Sequence, residues 1–157
     1  RKRGRRIGVV TFSGASGIVA SDHFARLGLT LAPLSPDTLR ALQTVFPPWM
    51  SPRNPVDVWP AIEQVGQKAF EVSVKAMLAD PQVDALYLHL YMDWKLLDLG
   101  VEFLDSLKGS IKPTAIWLIG DPQCFRTVRD RVEPFGTPVF TEVGRGAQVL
   151  SQFMAQG

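Results

Sequence analysis

The chain alternates between short apolar runs and longer segments in which apolar residues recur every three or four positions. Near-continuous apolar runs are typical of strands covered on both faces, and the helical spacing is typical of helices that bury one side. The runs predict five strands, at residues 6–12, 29–34, 83–91, 113–119 and 138–141. The spacing predicts helices at residues 18–27, 35–46, 64–79, 96–107 and 121–134, and a last helix from residue 143.

This alternation predicts an α/β fold, with a parallel sheet between two layers of helices. Right-handed crossovers and a length of 157 residues favour a doubly wound, flavodoxin-like sheet of five strands in the order 2-1-3-4-5. In that order the carboxyl ends of strands one and three flank the point where ligands bind in such sheets.

Capping residues mark several predicted helix ends. Ser35 and Asp121 each precede a proline, as expected of an N-cap followed by Pro at the first helical position. Gly28 and Gly109 follow predicted helices, where a glycine often ends the helix. These signals agree with the periodicity, so they support the same set of elements.

The turn between the first strand and the first helix is rich in serine and glycine, and it is the principal candidate for a binding site. The unpaired N–H groups at a helix N-terminus and the helix dipole together favour an anion. Glycine permits a positive φ or close approach of a ligand, and a serine hydroxyl caps the helix or donates to the ligand. The alternative is that these small residues only make a tight turn. The candidate phosphate-binding residues are Ser13, Gly14, Ala15, Ser16 and Gly17.

Residues 49–60 contain several prolines, which exclude a regular helix or a central strand. Long ordered loops in compact domains tend to carry function. Asn54 and Asp57 are the most notable side chains of this segment. They are interpreted first as residues that clamp the loop backbone by Asx-type hydrogen bonds.

His89 lies near the carboxyl end of the third predicted strand, at the edge of the sheet where ligands bind. The more common arrangement is a buried histidine that bonds to a backbone carbonyl. Asp93 and Trp94 follow in the next loop and are expected to line the same crevice. The single cysteine, Cys124, is interpreted as structural.

The basic residues are concentrated at the start of the chain. Five of the 17 lie within the first six residues, so the remainder carries 12 basic and 15 acidic residues. A chain without a basic body is not expected to bind nucleic acid. Residues 1–6 are therefore interpreted as a solvated linker, and residues 7–157 as one domain excised from a longer protein.

Composition limits the setting of the domain. No apolar run approaches the length of a membrane span, so no membrane partner is expected. One cysteine cannot form an internal disulfide, which favours a reducing, cytoplasmic location. No cluster of metal ligands is visible, so no metal is expected.

Several short motifs, in their order and spacing, resemble one family of ligases. They read Val-Val-Thr-Phe-Ser-Gly-Ala-Ser-Gly-Ile-Val-Ala-Ser-Asp, Asn-Pro-Val-Asp, Ala-Asp-Pro-Gln-Val-Asp-Ala-Leu, Lys-Pro and Thr-Pro-Val-Phe. The chain is similar to the C-terminal flavodoxin-like domain of NDP-forming acyl-CoA synthetases, and to the matching domain of the succinyl-CoA synthetase β subunit. The resemblance covers nearly all of the chain after its basic start.

The resemblance implies a mechanism and a set of partners. In the family, an acyl-CoA and phosphate give an acyl phosphate, a histidine takes the phosphoryl group, and an ATP-grasp domain passes it to ADP to give ATP. The turn at residues 13–17 is expected to steady that phosphohistidine, with Asp22, Asn54 and Asp57 in support. The other partners implied are a dinucleotide-type CoA-binding domain and a homo-oligomer of the parent.

The turn departs from the family pattern of Asn before a Gly-Gly-Pro-Gly type loop, and is bulkier by two side chains. Neither His23 nor His89 has the Gly-His-Ala-Gly type context of the phosphorylated histidine. No catalytic residue is therefore expected in this chain, and the chain alone is not expected to turn over. Two alternatives stay open: a regulatory domain of a synthetase–acetyltransferase fusion, and a separate flavodoxin-like module that binds a phosphate or nucleotide.

Overall fold

The computed structural model describes residues 4–93 and 100–156, and it shows a parallel sheet between two layers of helices. The strands are β1 (Arg6–Thr11), β2 (Thr30–Leu31), β3 (Val56–Asp57), β4 (Ala85–Met92), β5 (Thr114–Gly120) and β6 (Val139–Phe140). Their order is β2-β1-β4-β5-β6, and β3 also pairs with β1. Without β3 this is the predicted 2-1-3-4-5 order, which is confirmed.

The sequence pattern missed β3, which lies within the proline-rich segment. Its two residues pair with Val10 and Thr11, whereas β2 pairs with Arg6 and Ile7. The two short strands therefore lie along the same side of β1, one after the other. A pairing of two residues is too short to give a detectable alternation in the sequence.

In the described part of the chain, six α-helices and two 3₁₀ segments accompany the strands. The α-helices are α1 (Gly14–Arg26), α2 (Pro36–Gln43), α3 (Trp59–Val65), α4 (Lys68–Ala79), α5 (Pro122–Val132) and α6 (Val143–Ala155). Helices α1 and α6 pack together over one face, above a core that includes Val9, Ala20, Phe24, Tyr87 and Leu150. The second core lies on the other face, so the predicted three layers are confirmed.

Two predicted helices differ from the structure. The helix expected at residues 64–79 is two helices, α3 and α4, because Gly66 between them has φ 59°. Helix α3 begins at Trp59, and Pro60 lies in its first turn. Proline is tolerated there because the backbone N–H groups of a first helical turn have no partner within the helix. Of the helix expected at residues 96–107, the structure describes only a 3₁₀ segment, Glu102–Leu107; residues 96–99 lie outside the described part.

The predicted caps are confirmed at three helix ends. The side chain of Ser35 accepts a hydrogen bond from the N–H of Thr38, and that of Asp121 accepts one from the N–H of Gln123. At the end of α1, Gly28 has φ 67°, and the N–H of Leu29 donates to the carbonyl of Phe24. This is the glycine-terminated motif expected at a helix C-terminus.

The start of β1 is anchored by an ion pair. Arg6 begins the strand, as the predicted strand at residues 6–12 has it, and its guanidinium donates to both carboxylate oxygens of Asp84 at 2.8 and 2.9 Å. The hydrogen bonds from Arg6 hold the pKa of the Asp84 carboxyl below its usual value.

None of the described helices has the length and apolar character needed to cross a membrane.

Candidate functional site

Helix α1 begins at Gly14, four residues earlier than the sequence pattern predicts. Ser13 is the N-cap residue, with an extended backbone (φ −153°, ψ 131°), and Gly14 to Gly17 form the first helical turn. Neither Gly14 nor Gly17 has a positive φ. The segment is thus a helix start rather than a loop, and it lies at the carboxyl edge of the sheet, directly after β1.

The first turn of α1 presents three free backbone donors, which we call the α1 mouth. Within the described residues, the N–H groups of Gly14, Ala15 and Ser16 make no hydrogen bond, and Gly14 and Ala15 are exposed. The hydroxyl of Ser13 does not cap them, and the first turn carries no acidic residue. Three unpaired donors at the positive end of the helix dipole favour an anion.

Gly17 does not belong to this set of donors. Its N–H already donates to the carbonyl of Ser13 at 3.0 Å, and the residue is buried. A Cβ on Gly17 would lie 2.9 Å from the Cβ of Pro55 and 3.2 Å from the Cγ2 of Thr11. The absence of a side chain therefore lets α1 pack closely against Pro55 and β1.

Asn54 supports the strands rather than the α1 mouth. Its Oδ1 accepts a hydrogen bond from the N–H of Val9 (2.9 Å), and its Nδ2 donates to the carbonyls of Ile7 (2.8 Å) and Ala32 (3.0 Å). The side chain thereby takes the place of a strand residue between β2 and β3. Asn54 thus clamps backbone outside its own loop, whereas the sequence interpretation expected an Asx-type hydrogen bond within the loop.

Asp57 is the predicted supporting residue that the fold brings to the α1 mouth. It pairs with Thr11 at the end of β1, and its Oδ1 accepts a hydrogen bond from the N–H of Trp59 (3.1 Å). Its Oδ2 lies 3.1 Å from the place that a Cβ on Gly14 would occupy. The carboxylate therefore borders the mouth without bonding to any of its three N–H groups.

Asp22 is not brought to the α1 mouth. Asp22 is exposed and lies eight residues further along α1, roughly 12 Å away at the rise of an α-helix. Asp93 follows the end of β4, and Trp94 lies outside the described residues. Cys124 is buried, as expected of a structural cysteine.

A groove of about 500 Å³ opens beside the α1 mouth, between α1 and the proline-rich segment. Its lining includes Gly14, Ile18, Trp49, Arg53 and Asp57. Trp49 is 77% exposed and Ile18 is 66% exposed, which is unusual for large apolar side chains. Sequence reasoning did not identify Trp49 or Arg53, although a tryptophan in a proline-rich loop was a signal that could have been used.

A comparison with protein families identifies the family of this chain. The model of the family described as "Ligase-CoA domain" matches residues 7–105, which include β1, the α1 mouth, Asn54, Asp57 and β4. The chain belongs to the Ligase-CoA domain family.

Two curated proteins are similar to this Ligase-CoA domain. Over 152 residues it is 29% identical to the ADP-forming acetate–CoA ligase II of Archaeoglobus fulgidus, covering 96% of this chain and 22% of that protein. Over 84 residues it is 32% identical to the α subunit of the ADP-forming acetate–CoA ligase II of Pyrococcus furiosus, covering 54% of this chain and 18% of that protein. The chain spans about a fifth of the length of these relatives.

Solved structures share the fold of the Ligase-CoA domain. A Pyrococcus horikoshii protein matches with a TM-score of 0.82 and 21% identity, over 99% of this chain and 36% of that chain. The dinucleotide-forming acetyl-coenzyme A synthetase 1 of Ca. Korarchaeum cryptofilum, in its apo form, matches with a TM-score of 0.76 and 21% identity, over 98% and 34%. The same synthetase in complex with phosphate and ADP gives a TM-score of 0.73 and 20% identity, over 98% and 33%.

His89 of the Ligase-CoA domain lies in β4 beside Thr11, below the α1 mouth, and is 2% exposed. The sequence interpretation favoured a hydrogen bond from His89 to a backbone carbonyl. In the structure, Nδ1 of His89 instead lies 3.0 Å from the hydroxyl oxygen of Thr11. The ring of Trp117 packs against the imidazole, with 4.2 Å between the ring centroids. Burial lowers the pKa of His89 to about 4, so the side chain is neutral at pH 7.

This lowered pKa predicts a loss of stability in weak acid. The unfolded chain binds a proton at His89 near the ordinary value of 6.5, whereas the folded chain does so only near pH 4. The contribution of the neutral His89 to the stability of the fold is complete above about pH 6.5 and is lost as the pH falls toward 4. About 2 kcal/mol of the free energy of unfolding is expected to be lost by pH 5. Urea unfolding at pH 7.5 and pH 5 measures this loss. The variant His89→Asn should remove most of the difference, and an equal difference in both proteins would exclude His89 as its source.

Proposed function

We propose that this chain is the domain of an NDP-forming acyl-CoA synthetase that holds, at the α1 mouth, a phosphoryl group carried by a histidine of another domain. The observation that carries the proposal is the set of three unpaired N–H groups of Gly14, Ala15 and Ser16 in the first turn of α1. A phosphoryl group in transfer needs fixed donors more than covalent help from the protein.

The partners proposed for this domain are a CoA-binding domain, an ATP-grasp domain and the loop that bears the histidine. The chain covers only a fifth of relatives named as ADP-forming acetate–CoA ligases, so such domains have room in the parent protein. The parent reaction would convert acyl-CoA, phosphate and ADP to the acid, CoA and ATP. The isolated chain supplies donors but no nucleophile, and the cytoplasmic location inferred from its cysteine content stays a prediction.

The position of Asp57 distinguishes a histidine-borne phosphoryl group from free phosphate. Its carboxylate borders the α1 mouth, so it repels an incoming anion. An imidazole that carries a phosphoryl group on one nitrogen has an N–H on the other when it is protonated there, and a carboxylate accepts that hydrogen. The proposal therefore assigns Asp57 to the imidazole and the three N–H groups of α1 to the phosphoryl oxygens.

The apolar surroundings of the α1 mouth support a protein-borne ligand rather than a free one. Exposed large apolar side chains border the carboxyl edge of the sheet, and such patches mark interaction surfaces. They are Ile18, Val19, Trp49, Trp59, Tyr91 and Ile119. A small anion gains nothing from such a border, whereas a loop from another domain would bury it.

Titration of the chain with inorganic phosphate, followed by nitrogen-15 amide spectra, tests the proposal. The amide signals of Gly14, Ala15 and Ser16 are expected to shift together and to saturate, and the N–H of Gly17, already bonded, should shift less. Sulfate should act on the same signals. If these three signals stay in place while phosphate is raised, α1 does not hold the anion.

Replacing Asp57 by Asn is expected to strengthen the binding of free phosphate about fivefold, corresponding to about 1 kcal/mol for removing one nearby like charge in water. Asparagine keeps an oxygen for the N–H of Trp59, so the turn should keep its shape. The same amide titration gives the dissociation constant. Glu63→Gln, on the exposed side of α3, is the matched control, since it removes one negative charge elsewhere. Equal gains in both variants would mean that only net charge matters.

A further inference from the structure

A chain of hydrogen bonds connects buried β4 with the first turn of α1. The hydroxyl of Thr11 donates to the carbonyl of Ser13 (2.8 Å) and accepts from the N–H of Ser13 (3.1 Å). The same carbonyl accepts the first hydrogen bond of the helix, from the N–H of Gly17 (3.0 Å). Behind Thr11 lies Nδ1 of His89, 3.0 Å from the hydroxyl oxygen.

Counting protons fixes the state of the histidine. A hydroxyl has one hydrogen, and that of Thr11 is used by the carbonyl of Ser13. Nδ1 of His89 must therefore be the donor, which leaves Nε2 without a hydrogen. Among the described residues, Nε2 of His89 is the one buried side-chain nitrogen or oxygen that lacks a hydrogen-bond partner. Nε2 of the ring therefore stays without a partner, while Nδ1 bonds to the hydroxyl of Thr11.

We propose that His89 is a positioning residue for the α1 mouth: as a neutral Nδ1–H donor it orients the Thr11 hydroxyl, which sets the backbone of Ser13 and so the direction of the first three N–H groups of α1. The inference rests on the proposed function, because it gives those N–H groups a ligand to meet. His89 itself touches no ligand, since it is buried beneath the helix.

Three features of the surroundings hold the ring in this role. Trp117 packs against one side of the imidazole, and its own indole N–H donates to the carbonyl of Thr141 (3.3 Å), which fixes it in place. β1 and β4 pair at Thr11 and His89, so the two side chains stand next to each other on one face. Burial keeps the pKa of His89 near 4, so the ring stays a single-proton donor at neutral pH.

The test compares two removals with two conservative replacements. His89→Leu and Thr11→Val remove the donor and the hydroxyl; His89→Asn keeps an N–H near the Nδ1 position, and Thr11→Ser keeps the hydroxyl. Tyr87→Phe is the matched control, since it removes another buried hydrogen bond of β4, to the carbonyl of Val143 at the start of α6 (2.9 Å). The readouts are the imidazole nitrogen-15 shifts and the dissociation constant for inorganic phosphate at the α1 mouth.

The expected result has two independent parts. Nitrogen-15 spectra of wild-type His89 should show a protonated Nδ1 and a bare Nε2 at pH 7. Both removals should weaken phosphate binding at least fivefold, whereas both conservative replacements and Tyr87→Phe stay within about twofold of wild type. A protonated Nε2, or equal affinity in all five variants, would overturn the positioning role.

The two proposals fail in different ways. If wild type binds neither phosphate nor phosphoimidazole at the α1 mouth, the proposed function fails, and the positioning role of His89 fails with it. If wild type binds phosphate but the removals do not weaken it, only the role of His89 fails. Should His89→Leu not fold, Thr11→Val decides the outcome, because its side chain has nearly the same volume as threonine.

Discussion

Replacing Gly14 by Val in the multi-domain enzyme is expected to reduce phosphoryl transfer at least 100-fold while the domain stays folded. A Cβ added at this position would lie 3.1 Å from Oδ2 of Asp57, which borders the α1 mouth, so the two methyl groups of valine are expected to crowd the space beside it. A phosphoryl group would then be held away from the N–H groups of Gly14, Ala15 and Ser16. Loss of one such donor to a transition-state oxyanion costs about 100- to 1,000-fold in rate.

The measurement is the rate of ATP formation from acyl-CoA, phosphate and ADP, together with the amount of phosphohistidine formed. Gly144→Ala is the control, since Gly144 lies in the first turn of α6, and its new Cβ would meet only the ring of His23, at 3.2 Å. This control should keep nearly full activity, and Gly14→Ala should fall between the two. Full activity in Gly14→Val would refute the role of the α1 mouth.

Replacing Asn54 by Ala is expected to destabilise the domain by about 4 kcal/mol, a large part of the stability of a domain of this size. The change removes three hydrogen bonds to the backbone of Val9, Ile7 and Ala32. Val9 and Ile7 have no exposed surface, so water cannot replace the lost partner of the Val9 N–H. A buried donor or acceptor without a partner costs about 1–3 kcal/mol.

Urea unfolding of the chain gives this free energy, and Gln43→Ala provides the comparison. Gln43 also bonds to two backbone carbonyls, of Pro47 and Met50, but at 3.5 and 3.4 Å and near the surface, so less than 1 kcal/mol is expected. Asn54→Asp should destabilise strongly at pH 7, because a carboxylate would face the carbonyls of Ile7 and Ala32. A loss below 1 kcal/mol in Asn54→Ala would show that the side chain does not tie β1 to the end of β2.

The strand order could be predicted from the sequence because the long strands and helices of a parallel fold appear as alternating apolar runs and helical periodicities. The apolar run at residues 83–91 identifies β4, and the caps at Ser35 and Asp121 set two helix starts. The pairing of β3 was not accessible, because it involves two residues stabilised by Asn54 rather than by a pattern. The early start of α1 was missed because glycine and serine are weak helix formers, yet the first turn here is held by tertiary contacts at Gly17.

The position of the candidate site was predictable, but the division of roles within it was not. The rule that ligands bind beside the first and third predicted strands predicted that the turn at residues 13–17, the loop with Asp57 and the strand with His89 meet at one edge of the sheet; in the structure Thr11 pairs with both Asp57 and His89. The sequence could not show that Asn54 faces the strands while Asp57 faces the α1 mouth, since both follow the same loop. Nor could it assign a partner to His89, because that partner comes from another strand.

The most direct test of the account is a nitrogen-15 amide titration of the chain with phosphoimidazole, a small mimic of phosphohistidine. The account predicts saturable shifts at Gly14, Ala15 and Ser16, with tighter binding than for inorganic phosphate, and weaker binding of phosphoimidazole in Asp57→Asn. Shifts confined to other residues, or none at these three, would contradict the claim that α1 receives a histidine-borne phosphoryl group.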